Sequence, residues 1–228
     1  MLPAIIAKEQ RIFQGSRKPV LEVICHLQCN QPLESLALLS RKLLDSGPYG
    51  NAFLTRVVVH PEFAFGFSYR MTSVMKAAEK EVLALCAEKD AVVIFNIAEG
   101  VHSPGMQLLK VKNHGCIASK GSLKKAEKAE VEATKIDVRR RAIEKNGLYI
   151  VSLLCHEATL ELQNTRDDQI AIVPAYGVPV SQIGHNSGKG RAFIVSDLCV
   201  KKTCGAFREG DFWTKKTENG VTYFWLWE

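Results

Sequence analysis

Arg56-Val57-Val58-Val59-His60-Pro61-Glu62 is a short apolar run stopped by a proline and followed at once by an acid. An unbroken apolar run of strand length, without polar alternation, is expected where a strand is buried on both faces. Pro61 has no N–H to give to a ladder and closes it. Downstream, residues 73–89 place Val74, Ala77, Ala78, Val82, Leu83, Leu85 and Cys86 on one side of a helix, and residues 91–98 form the next buried strand. Upstream, residues 20–27 read as a strand. The leucines at 33, 36, 38, 39, 43 and 44 mark a helix that Gly47-Pro48 ends. Strand–helix alternation of this kind predicts a layered α/β fold.

The second half carries more strands than helices, at residues 106–112, 148–154, 169–173, 192–200 and 223–227, so the pairing is expected to be mixed. Asn113-His114-Gly115 reads as a hairpin turn. The charged stretch 120–144 is read as a solvated helix, a surface excursion or a partly disordered segment, with the run Lys120–Arg141 as a solvated face. The loop at 184–190 lacks the Gly-x-x-x-x-Gly-Lys-Ser/Thr spacing of a phosphate loop. Phe212, Trp213, Tyr223, Phe224, Trp225 and Trp227 suit a packed C-terminal hairpin or an oligomer contact better than a base-stacking platform, with Trp213 the ring to watch for exposure.

The chain has 228 residues, 46% apolar and 24% charged, which fits one globular domain with residues 1–17 as an N-terminal extension. Its net charge of +6 is spread along the sequence, and phosphate binding needs a focused patch, so nucleic acid is not expected as a partner. Seven cysteines, an odd number with no Cys-x-x-Cys pair, argue for a reducing compartment and against a zinc site or a disulfide framework. The apolar opening 1–7 contains Pro3 and runs into Lys8, Glu9 and Arg11, too little for a signal peptide or a membrane span. A cytoplasmic protein is the expectation.

Reactive side chains directly after buried strands are the candidates for chemistry, because open α/β folds gather their sites there. Glu62 follows the run ending at Pro61, and Cys155 follows Ile150-Val151-Ser152-Leu153-Leu154. Lys120 lies shortly after the turn ending at Gly115. A thiol attacking a carbonyl or nitrile carbon needs a base for its proton, and a cation beside it stabilises the developing oxyanion. Glu, Lys and Cys from three strand ends therefore make an acyl-transfer centre. His156 is not expected to activate Cys155, since adjacent strand residues face opposite ways.

Val58-Val59-His60-Pro61-Glu62-Phe63-Ala64-Phe65-Gly66 resembles the first motif of the nitrilase, or carbon–nitrogen hydrolase, superfamily, and Leu153-Leu154-Cys155-His156-Glu157 resembles its nucleophile motif. The resemblance spans residues 18–228. It implies a four-layer αββα sandwich with mixed sheets, Glu62 as base, Cys155 as nucleophile and a lysine from Ala118-Ser119-Lys120-Gly121-Ser122-Leu123. That segment keeps only the family's Lys and Leu, and Lys124 and Lys125 stand as alternatives to Lys120. Substrate contacts are expected from Glu157 and Phe63, and a second acid from Glu127, Glu130 or Glu132.

No metal or cofactor is implied. The expected partners are a small amide or nitrile and further copies of the chain, as a homodimer or larger homo-oligomer. Two features depart from the family: His156 stands where it has Tyr or Phe, and the chain is short after Cys155. The implied activity is hydrolysis of a small non-peptide amide. Amide-forming acyl transfer is the alternative within the superfamily, and Cys-His-Glu is nearer to its apolipoprotein N-acyltransferase branch. A binding or assembly protein with a decayed triad is the alternative outside enzymes.

Overall fold

The computed structural model describes residues 18–28, 31–47, 54–65, 67–68, 72–101, 110–129, 136–161, 169–177, 192–197, 203–207 and 212–227. The loop at 184–190, Glu130, Glu132, residues 1–17 and the Trp213 side chain lie outside them.

The first half follows the alternation read from the sequence. Strand β1 (Pro19–His26) leads through a short 3-10 turn to helix α1 (Leu36–Ser46); β2 (Thr55–Val59) and the two-residue β3 (Phe67–Ser68) precede helix α2 (Thr72–Lys89) and strand β4 (Ala91–Val101). β1, β2 and β4 run parallel and side by side. β5 (Lys110–Ser119) and β6 (Ser122–Glu127) extend this sheet antiparallel on the β4 side. The C-terminal hairpin of β12 (Phe212–Glu218) and β13 (Val221–Trp227) extends it beyond β1. The second sheet is ordered β11 (Thr203–Phe207), β10 (Ala192–Asp197), β9 (Gln169–Ala175), β8 (Leu148–Ser152), β7 (Ala142–Lys145).

Alternating side chains of the first sheet divide between two cores, as the period of two requires. Ile24, Val58, Val93 and Phe95 face α1 and α2, where they meet Leu36, Leu44, Val82 and Leu85. Val23, Val57, Val59 and Ile94 face the other way and meet Ile143, Ile150, Ile170 and Ile172 of the second sheet. The outer face of that sheet packs Val151, Ala171 and Val173 against Ala158 of the short helix α3 (Glu157–Glu161). The order is helix, sheet, sheet, helix. Cys25, Cys86 and Cys116 are buried thiols in this interior, and burial pushes Cys86 and Cys116 up to about 12.

One local expectation fails. Asn113-His114-Gly115 is not a turn but the middle of β5, and the hairpin closes six residues later at Lys120-Gly121, where Gly121 takes φ +71. Asn-His-Gly carries turn-type residues, but its Gly115 is required by packing: an added Cβ would lie 2.2 Å from Nη1 of Arg141.

Candidate active site

Glu62 lies in the turn that ends β2. His60 N–H still donates to Ile94 O (2.9 Å), Pro61 stops the ladder, and Ala64 N–H closes onto Pro61 O (3.1 Å). Phe63 takes the left-handed region at φ +63, a conformation costly for a residue with a Cβ. Its N–H donates to Asn96 Oδ1 at 2.7 Å, which helps hold it there. The turn buries the Glu62 carboxylate completely.

Cys155 occupies an equally sharp turn after β8. Pairing with β9 continues past the strand, through Leu153 N–H to Ile172 O (3.0 Å) and Cys155 N–H to Pro174 O (2.8 Å). The chain then reverses at Cys155, with φ +52, into α3. Two non-glycine residues with positive φ thus sit at Phe63, beside the acid, and at the candidate nucleophile itself, the kind of place where such strain collects. The Cys155 thiol donates to Tyr176 O at 3.5 Å. Burial pushes it up to about 11; the Glu62 charge pushes the same way and the Lys128 ammonium pulls it down.

The lysine brought to Glu62 is Lys128. It directly follows β6, its N–H donates to Asn113 O (2.6 Å), and its Nζ lies 2.6 Å from Glu62 Oε1. Asn113 Nδ2 donates to the same oxygen at 2.6 Å. The other carboxylate oxygen, Oε2, is buried with no hydrogen-bond partner. Lys120 is exposed at the tip of the hairpin, six residues, or roughly 20 Å of strand, beyond His114 of the His114–Glu127 pair. Lys124 donates to Ala142 O (2.5 Å) and Lys125 pairs with Glu79 (3.1 Å). None of the three lysines singled out in the sequence reaches Glu62, and Glu127 is exposed.

Glu157, expected as a substrate contact, sits in the interior. It is fully buried and accepts from Arg141 Nη2 (2.5 Å), Leu154 N–H (2.6 Å) and Ala129 N–H (2.7 Å). His156 Nε2 lies 2.9 Å from Ala129 O, so it donates there. The two residues after Cys155 therefore grip both sides of the residue after Lys128. Phe63 is half-buried, and its ring meets Tyr176 edge-on at 5.3 Å, beside the carbonyl that holds the thiol. Tyr176 is 47% exposed, so this aromatic pair reaches the surface beside the Cys155 turn.

No family model matches the chain, and neither does any curated protein. Solved structures do. An amidase from Nesterenkonia sp. superposes with a TM-score of 0.60 at 13% identity, covering 91% of this chain and 90% of that one. The chain has the fold of a nitrilase-superfamily amidase. A cysteine-to-alanine variant of the Nesterenkonia sp. AN1 amidase, described as belonging to that superfamily, superposes at 0.55 with 11% identity over 91% of both chains. Another structure, a cysteine-to-alanine variant in complex with butyramide, superposes at 0.60 with 12% identity over 91% of both. The αββα layers expected from the two motifs are thus present along nearly the whole length of a known example.

Proposed function

We propose that the chain is a nitrilase-superfamily hydrolase that cleaves the C–N bond of a small amide through a thioester on Cys155, with Glu62 as base and Lys128 as cation. The observation that carries this reading is the meeting, at the ends of β2, β6 and β8, of a fully buried carboxylate, a lysine amine 2.6 Å from it, and a thiol whose proton affinity both groups influence.

The raised thiol pKa means that Cys155 rests as a neutral thiol beside the Glu62 carboxyl group. Attack therefore requires proton transfer to Glu62 as the S–C bond forms. The carbonyl oxygen gains the electron pair and lies by the Lys128 ammonium, which stabilises it without reorganisation. Collapse re-forms the carbonyl and breaks the C–N bond; the proton held by Glu62 goes to the nitrogen, and ammonia or an amine leaves. Water then attacks the thioester, giving its proton to Glu62. The C–S bond breaks, and the sulfur recovers the proton as the acid departs.

The neighbouring amidase holds butyramide, and short amides suit the aromatic border formed by Phe63 and Tyr176. The test is ammonia release from a panel of short aliphatic and aromatic amides that includes butyramide. Turnover that disappears in Cys155→Ala and Glu62→Gln supports the reading. No turnover across the panel, or turnover that survives Cys155→Ala, contradicts it. Adding an amine acceptor separates hydrolysis from acyl transfer. The reading as a decayed binding protein draws on the departures of the lysine segment from the family pattern and on the short chain; a lysine amine 2.6 Å from Glu62 weighs against the first of these.

A further inference from the structure

Glu62, Phe63, Asn96 and Asn113 form a ring of three hydrogen bonds, closed by the chain between residues 62 and 63, whose direction is fixed at one point. Phe63 N–H can only donate, so the atom it meets on Asn96, 2.7 Å away, is the amide oxygen. Asn96 Nδ2 must then face Asn113, and does so at 2.7 Å from Oδ1. Asn113 Nδ2 is left to face Glu62 Oε1 at 2.6 Å. The relay begins on the backbone of residue 63 and returns to the side chain of residue 62, so neither amide can flip without placing like atoms together. The strands supply the alignment: Asn96 pairs with Gly115 and Ala98 with Asn113 across β4 and β5, which sets the two asparagines diagonally on one face.

We infer that Asn96 and Asn113 are positioning residues that select Glu62 Oε2 as the working base, an inference that rests on the function proposed above. Oε1 receives two donors, Asn113 and Lys128, and is a poor site for a further proton. Oε2 is buried with no hydrogen-bond partner and takes the thiol's proton. The asparagines touch neither the thiol nor a substrate. They act through the hydrogen bond that Asn113 gives to Oε1, which fixes the carboxylate in one orientation, and a bond of that kind favours the charged form over the neutral one. Mutual satisfaction of two buried amides would account for the Asn96–Asn113 bond alone. It does not account for the third bond to the carboxylate, made on the same oxygen as the lysine.

The test is the pH dependence of Cys155 alkylation by iodoacetamide, followed by intact mass. Wild type is compared with Glu62→Gln, with the near-isosteric Asn113→Asp and with Asn113→Ser, which leaves room for water; the thermal midpoint of each reports folding. In wild type the rate rises along an acid limb that Glu62→Gln abolishes. In Asn113→Asp, which sets a second carboxylate against Oε1, the limb moves upward by about one pH unit, an approximately tenfold slower reaction at a fixed pH below it. Asn113→Ser moves it the same way by less. Folded Asn113 variants with a wild-type profile overturn the inference while leaving Glu62 as base. Superimposed wild-type and Glu62→Gln profiles overturn the base assignment, and this inference with it.

Discussion

Glu157 joins the Cys155 turn to the Lys128 loop by accepting Ala129 N–H at 2.7 Å and Leu154 N–H at 2.6 Å, with its charge matched by Arg141 at 2.5 Å. The lysine and the cysteine come from different sheets, and their relative position depends on such ties. Arg141 reaches Glu157 by lying over Gly115, where a side chain would block it.

Glu157→Gln removes the partner of a buried guanidinium and turns an amide group toward donors. Removing one member of a buried pair costs about 3–5 kcal/mol. Urea denaturation is expected to show a loss of that order, and the folded fraction is expected to lose amide turnover as the Lys128 loop loosens. A variant with wild-type stability would mean that Arg141 finds another anion.

The stability of the protein is expected to fall on mild acidification because of His26 and His60. Gln28 N–H donates to His26 Nδ1 (3.1 Å), so His26 Nε2 carries its proton and donates to His60 Nδ1 (2.6 Å). His60 Nε2 then donates to Ser40 Oγ (2.7 Å), whose hydroxyl goes to Leu36 O (2.7 Å). Both rings are neutral, and a second proton on either would face a donor. Burial lowers His26 from 6.5 to about 4 and takes His60 well below its ordinary value. A depressed folded pKa means the unfolded chain binds protons first. The contribution is complete above pH 6.5 and is lost as the pH falls toward 4, by about 3 kcal/mol for His26 alone. Urea midpoints at pH 7.5 and 4.5, in wild type and His26→Gln, check it: the wild-type drop is expected to be the larger.

The Cys155 thiol titrates late. Absorbance of the thiolate near 240 nm, taken as the difference between wild type and Cys155→Ala, is expected to appear around pH 11. Glu62→Gln removes a charge that opposes the thiolate and moves the transition downward. A wild-type transition near neutrality would indicate a resting ion pair in place of a neutral thiol and a carboxylate.

Much of this was legible in the chain because burial leaves a strong pattern. The valines before Pro61 and the apolar runs at 91–98 and 148–154 could only be inner strands, and strand-end logic picked out Glu62 and Cys155. Lys128, the lysine beside Glu62, escapes a reading that puts the turn at Asn113-His114-Gly115 instead of Lys120-Gly121. β6, with Lys124 and Lys125 exposed, lacks an apolar run and reads as surface. Once the turn is placed, Lys128 satisfies the same rule as the other two, standing directly after a strand. The Asn146-Gly147 and Asn219-Gly220 pairs, with both φ positive in each, were readable hairpin signals for β7–β8 and β12–β13. Asn96, Asn113 and Arg141 could not be found from spacing, since their importance lies in what crosses from one strand to the next.

The most direct test of the central claim is the rate at which Cys155 is acylated by butyramide or the best amide of the panel, read as intact mass after acid quench in wild type, Lys128→Met and Lys120→Met. Wild-type acylation is expected in Lys120→Met and a loss of about 10²–10³-fold in Lys128→Met, the usual effect of removing one oxyanion donor. Acylation of folded Lys128→Met at the wild-type rate, or its loss in Lys120→Met, would contradict that claim.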